Sequence, residues 1–379
     1  MHVVVCTVVH HPADARIYYR QIRALLEAGH QVTYIAPLGE SGAPLSCWQK
    51  PAGVPDKNHD HPERSGASVT TVTIPRAAGR RRLGALRAAK AALAEHAPSA
   101  DLLLVHDPEL LLVLPPRRKR PPTVWDVHED TAAALTTKAW LPGFLRPVAA
   151  GGVVFAERLA ERRLHLILAE HGYNTRFRGT HPVVPNTSYV PQTAAPPGAP
   201  RRVVYVGHLS PDRGSAEMVA LARSLAPHGI AVELIGPADA QARAHIEAAG
   251  DLVHWHGFVP NEQALQLTEG ALAGLSLLHD EANFRPSMPT KVFEYMARGV
   301  PVITTPLPLA VDLVRGSECG FVVPFGDVQA ASDAVLTLDR DPDLRVKMGL
   351  RGHDAALRAQ GWPADARAFV AQLESWARA

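Results

Sequence analysis

Cysteine is almost missing from this chain: Cys6, Cys47 and Cys319 are the only three in 379 residues, and they are widely spaced. An odd, scattered set excludes a disulfide framework and a thiolate zinc site. Long apolar runs are missing too. The nearest, around Leu141 to Ala156, is interrupted by Arg146 and by Gly and Pro, so no membrane-crossing helix is expected. Nor does one sign of charge dominate. Lys+Arg is 39 against Asp+Glu 37, a net charge of +2, which argues against broad nucleic-acid binding. There is no G-x-G-x-x-G fingerprint and no Walker A sequence, which removes most NAD enzymes and P-loop NTPases. The first residues read as a strand, without a basic segment or a small-residue cleavage site, so no signal peptide is expected. The protein is expected to be cytoplasmic, with at most peripheral membrane contact.

Short apolar runs alternate with helical periodicity throughout, the pattern of a parallel α/β architecture. Strands are expected at 2–9, 32–36, 69–74, 102–105, 124–127 and 164–168. A helix from Arg16 is expected between the first two, closed by Gly29. Segment 38–67, rich in Pro, Gly, Ser and His, reads as a long surface loop. The stretch Pro191–Pro200 (PQTAAPPGAP) cannot hold a core and reads as a linker. The pattern then restarts, with strands at 203–206, 231–235, 252–255, 275–278, 302–304 and 320–323, and a helix from Ser215. The expected organisation is two Rossmann-like domains, 1–190 and 201–362, joined by 191–200. A final helix, 363–379, is expected to dock an apolar face on the first domain.

Polar clusters follow the strands: His10, His11, Asp14 and Arg16; His106 and Asp107; Asp126, His128 and Glu129; Gly207 and His208. Ligands of open parallel sheets bind beyond the carboxyl ends of strands, so these are site-bearing ends, and two such faces would make a cleft. In Pro289-Thr290-Lys291-Val292-Phe293-Glu294, Thr290 is read as a helix cap and Lys291 as a charge beside an anion-binding helix start. Glu294, one turn in, is placed to accept two hydrogen bonds from a diol.

In these residues the sequence resembles retaining glycosyltransferases of the GT-B fold, specifically glycosyltransferase family four. His11-Pro12-Ala13-Asp14-Ala15-Arg16-Ile17 with Glu27-Ala28-Gly29-His30-Gln31-Val32 is similar to the family's opening loop and helix. Asp126-Val127-His128-Glu129, Pro185-Asn186-Thr187 and Tyr205-Val206-Gly207-His208-Leu209-Ser210-Pro211-Asp212-Arg213-Gly214 continue the pattern. His256-Gly257-Phe258-Val259-Pro260 and Glu318-Cys319-Gly320-Phe321 complete it, six weak motifs in family order. There are two departures. Pro286 stands where the family commonly has the first of two glutamates, the second matching Glu294, so the chain resembles a branch without it. His208 stands where an arginine is usual, while Arg213 keeps the cation of the lysine position.

The resemblance implies transfer of a sugar from a nucleoside-diphosphate sugar to a hydroxyl acceptor, with retention. The acceptor would be a small molecule, a glycan or a lipid-linked molecule. His128, Arg213 and Lys291 would be catalytic. Glu294, Gly207, His208, Ser287, Met288, Pro289, Thr290, Gly257 and Phe258 would hold the donor, while Asp14 and Arg16 line the cleft. No metal and no cofactor beyond the nucleotide-sugar co-substrate is implied, and no nucleic-acid partner. Read without the resemblance, His10, His11, His106 and Glu129 are supporting residues, and the runs Arg80–Arg82 and Arg117–Arg120 are solvated faces. Three alternatives stand beside the transferase. They are a nucleotide-sugar 2-epimerase of the same fold, a non-catalytic nucleotide-sugar binder, and a metallohydrolase built on His10, His11, Asp14, His106, Asp107 and His128. None of those six has the H-x-H or H-E-x-x-H spacing that would support the last.

Overall fold

The computed structural model describes residues 1–38, 67–128, 146–198, 201–359 and 361–378. Cys47, Glu129 and all but the ends of the expected loop 38–67 lie outside the described residues, as does most of the apolar stretch before residue 146. The chain divides into two compact units, Met1–Asn186 with Pro363–Ala379, and Thr187–Trp362.

The first unit holds six parallel strands: β1 (His2–Cys6), β2 (Gln31–Ala36), β3 (Ser68–Thr73), β4 (Leu102–Val105), β5 (Thr123–Val127) and β6 (His165–Leu168). Their order is β3-β2-β1-β4-β5-β6. The central strands are short apolar runs such as HVVVC and LLLV, buried on both faces, as a sheet covered by helices requires. The helices are α1 (Arg23–Glu27), α2 (Arg82–His96) and α3 (Arg146–Glu161). The helix expected from Arg16 instead opens as a π-helical stretch, Ile17–Ile22, before α1.

The second unit repeats the plan with β7 (Arg202–Val206), β8 (Ala231–Ile235), β9 (Val253–Trp255), β10 (Ala273–Ser276), β11 (Val302–Thr304) and β12 (Gly320–Val322). Its order, β12-β11-β10-β7-β8-β9, is the same sequence of pairings read from the other edge. The helices between are α4 (Ser215–Leu225), α5 (Ala240–Ala249), α6 (Asn261–Gln266), α7 (Thr290–Ala297), α8 (Pro308–Ser317), α9 (Val328–Arg340) and α10 (Pro342–Arg358). The last helix, α11 (Gly361–Ala377), lies with the first unit beyond Trp362. There His30 meets Glu374 at 3.0 Å and His165 stacks on Trp376.

Both sheets therefore show the doubly wound α/β arrangement expected from the sequence. In such a sheet the strand order reverses at one point, and the crevice there receives ligands. The reversal lies between β1 and β4 in the first unit and between β7 and β10 in the second. Among the described residues, no helix is long and apolar enough to cross a membrane.

Candidate functional site

In the second unit, three glycine turns at the ends of β7, β8 and β9 nest on one another. Gly207 N–H donates to Ile235 O at 2.9 Å, and Gly236 N–H donates to Gly257 O at 2.8 Å. Gly207 and Gly236 have φ of 131° and 137°, which disfavours any side chain. A Cβ on Gly236 would also stand 2.0 Å from Gly207 O. The backbones thus come closer than residues with side chains would allow.

Against this turn lies α7. Tyr295 fixes it: its hydroxyl accepts from Val206 N–H at 2.9 Å and donates to Leu275 O at 3.1 Å, tying α7 to the ends of β7 and β10. Lys291 precedes Tyr295 by four residues, so it shares that face of the helix. Its Cε lies 3.4 Å from where a Gly207 Cβ would be, and its Nζ sits 4.7 Å from the Tyr205 ring centroid. Lys291 is only 7% exposed and has no carboxylate or hydrogen-bond partner among the described residues. Burial, then the neighbouring Arg213 guanidinium, lower its pKa to about 7 despite Glu294 and Asp212. Burial likewise raises the Tyr205 hydroxyl to about 12, so it stays a donor, to His208 O at 2.7 Å.

The other expected donor residues surround this point. Arg213 closes a 3-10 turn, Pro211–Arg213, beside the Phe284 ring. Glu294 is buried on α7, and Ser287 and Met288 are half-buried on the approach to it. Thr290 is not the cap that the sequence suggested. Pro289 takes that place in extended conformation, and no side chain caps the helix. The first N–H groups of α7 are left without a side-chain acceptor, the usual condition for anion binding. His208 and Phe258 are exposed, and Gly257 enters through its backbone. Tyr295 was not singled out in the sequence. Its spacing of four from Lys291 is the signal that could have found it.

In the first unit, β1, β4 and β5 end in a buried polar cluster. Asp126 accepts from Arg16 Nε and Nη2 at 2.7 and 2.6 Å, and from Gln21 at 3.0 Å. Arg16 Nη1 also donates to Val184 O and Asn186 Oδ1. Arg16, expected to line a cleft, is 4% exposed. Its guanidinium is consumed in holding the opening loop to β5. Asp14 accepts from the N–H groups of Arg16 and Ile17 at 2.8 and 3.0 Å, and thus caps the π-helical stretch. Burial would raise the Asp14 carboxyl, but the charge of His10 and these N–H groups hold it below its ordinary value. Burial also works against Asp126, and Arg16 outweighs it, holding that carboxyl well below the carboxylate range.

His128 stands at the end of β5, its Nδ1 3.0 Å from Asp126 O and its Nε2 3.0 Å from His10 Nε2. His106 Nδ1 faces Asp126 Oδ2 at 3.2 Å. His106, Asp126 and His128 are close enough to suggest a metal centre. Their bonding does not fit one, because both Asp126 oxygens already accept from a guanidinium and both nitrogens of His128 are engaged. Together with His10 and Asp107, these residues form a hydrogen-bonded network at the ends of β1, β4 and β5.

Comparison with known proteins agrees with this division. Residues 191–354 match the family described as glycosyl transferases group 1. The putative colanic acid biosynthesis glycosyltransferase WcaL of Salmonella typhimurium is 26% identical over 162 residues, 41% of this chain and 40% of that protein. The Escherichia coli protein of the same name is 27% identical over 166 residues, 41% of each chain. The match thus spans about two fifths of the length of these curated relatives. Among solved structures, sucrose-phosphate synthase from Thermosynechococcus elongatus superposes with a TM-score of 0.70 at 20% identity, covering 99% of this chain and 98% of that one. Anabaena Alr3699/HepE, in complex with UDP and glucose, gives 0.66 at 14% identity, covering 99% and 100%. The fold is accordingly GT-B, and residues 191–354 carry the sequence pattern of group 1 glycosyltransferases.

Proposed function

We propose that this protein is a retaining glycosyltransferase. It would move a sugar from a nucleoside-diphosphate sugar to a hydroxyl acceptor. The observation that carries the reading is Lys291: a buried amine over the Tyr205 ring and beside Arg213, with no carboxylate in salt-bridge contact among the described residues, at the uncapped start of α7 and against a glycine turn. Such a grouping of cations and helix N–H donors suits an anion such as a diphosphate. Arg213, Lys291 and the N–H groups of α7 would stabilise the charge that develops on the leaving diphosphate. Glu294 would hold the ribose hydroxyls, and backbone groups near Gly236 and Gly257–Phe258 would meet the base. His128 of the first unit would act in the transfer step. With cations on the diphosphate, the chemical step needs no divalent metal. The WcaL likeness points to an envelope-glycan acceptor, and the Alr3699/HepE complex makes UDP-sugars the first donors to test.

The test is release of nucleoside diphosphate from a panel of nucleotide sugars, with and without acceptor extracts, in excess EDTA. The expected result is acceptor-dependent release that EDTA leaves intact. An absolute need for manganese or magnesium would defeat the metal-free reading. The second reading, a binder without turnover, is favoured by Pro286 in place of the family's first glutamate; binding of a nucleotide sugar with no release would establish it. Acceptor-independent release would favour the 2-epimerase.

A further inference from the structure

Both ring nitrogens of His128 are engaged within the first unit, and their partners among the described residues constrain where the hydrogens sit. His10 Nδ1 lies 2.7 Å from Asp107 Oδ1. Asp107 is 1% exposed and also accepts from the Thr7 hydroxyl at 2.8 Å and from the Val8 and Val9 N–H groups at 2.5 and 3.2 Å. Burial alone would raise its pKa, yet the hydrogen bond and charge of His10, with these donors, hold it well below the usual range. A carboxylate only accepts, so His10 Nδ1 carries a hydrogen. Asp126 O also only accepts, so His128 Nδ1 carries one too. The two Nε2 atoms stand 3.0 Å apart with the rings tilted by 60°. A hydrogen bond there needs one further hydrogen. With that hydrogen the pair would hold three hydrogens on four nitrogens and a single positive charge.

We propose that His10 is a positioning residue for His128: the rings share one proton between their Nε2 atoms, and Asp107, acting through His10, sets the orientation and charge that His128 presents. Among the described residues, the charged and titratable groups around the pair include Asp107 after β4, Asp126 with Arg16 and His106 beside β5, and Asp14 on the opening loop. Arg16 pairs with Asp126, whereas Asp107 lies on His10 Nδ1 at 2.7 Å. The positioning role rests on the transferase reading; the shared proton does not.

The experiment uses the full-length protein with ¹⁵N-labelled histidine and no ligand, followed by long-range ¹H–¹⁵N correlation across the ordinary histidine range. Coupled rings titrate in two macroscopic steps that belong to the pair. His10 and His128 are expected to show both steps, and His10→Gln is expected to reduce His128 to a single step. Independent one-step titrations in the parent protein would overturn the shared proton. Turnover of UDP-glucose, or of the nucleotide sugar released fastest, is measured alongside. His10→Gln and His10→Asn are expected to lower kcat on the order of 10- to 100-fold, as misplacement of a reacting group does. Their Kd for UDP should stay unchanged, and a thermal melt confirms that each is folded. Parental kcat in folded variants would overturn the positioning role. If no nucleotide sugar is turned over, the transferase reading falls, and the spectra still decide the shared proton.

Discussion

Lys291 and Glu294 lie one turn apart on α7, and each makes a distinct demand on the chemistry. Burial and the Arg213 guanidinium lower the Lys291 pKa to about 7. A bound diphosphate would raise that pKa, so binding above pH 7 takes up a proton. Affinity should then fall as the pH rises above about 7, by up to about tenfold per pH unit, and stay level below it as far as the diphosphate's own ionisation. Lys291→Arg, which remains charged, should flatten this dependence; calorimetric titration of UDP at several pH values checks it. Glu294→Gln keeps the size and loses the charge, and should weaken donor binding by about 1.5–3 kcal/mol. Parental affinity in that variant would remove Glu294 from the donor site. His128→Ala should cut turnover by about 10²–10³ and leave UDP affinity unchanged, since the proposed diphosphate cradle is built from the second unit alone. Steady-state kinetics on folded variant checks this. Residue types at strand ends made most of these candidates readable in the sequence. The commitment of Arg16 to Asp126 was not readable, because 110 positions separate the partners and only the fold brings them together.

At the scale of elements, β4, β8 and β11 coincide with the apolar runs Leu102–Val105, Ala231–Ile235 and Val302–Thr304, whereas β1 stops at Cys6 rather than residue 9 and β10 runs Ala273–Ser276 rather than 275–278. The helix starts were less legible. Asp14 and the buried ion pair of Arg16 draw the opening helix into a π-helical stretch, a choice made by tertiary bonds rather than by periodicity. The role of Gly274 was also hidden. It lies in β10 where a Cβ would stand 2.3 Å from the Tyr295 ring. Gly274→Ala should therefore push α7 away from the sheet, cost about 1–3 kcal/mol by overpacking, and weaken UDP binding as well. Denaturant titration with and without UDP separates the two losses. A variant with parental stability and affinity would mean that α7 is not held by this contact.

At the scale of the whole molecule, one strand order occurs twice in a chain of balanced charge, and the polar clusters gather where each order reverses. The chain leaves the first unit at Asn186 and returns to it after Trp362. Phe369 and Leu373 of α11 are fully buried, so Phe369→Ala should destabilise the first unit by about 3–5 kcal/mol. The two units need not unfold together, so the transition should be followed by a probe within the first. The central claim, however, is that the second unit is built to receive a diphosphate, and it is tested most directly by comparing nucleoside diphosphates with the matching nucleosides. A thermal-shift screen should find at least one diphosphate that stabilises the protein, by about 2.7 kcal/mol at 100 times its Kd. The nucleoside alone should do far less, and Lys291→Met or Arg213→Ala should erase the difference. If no nucleoside diphosphate or nucleotide sugar stabilises the parent protein, or if nucleoside and diphosphate bind alike, the account is contradicted.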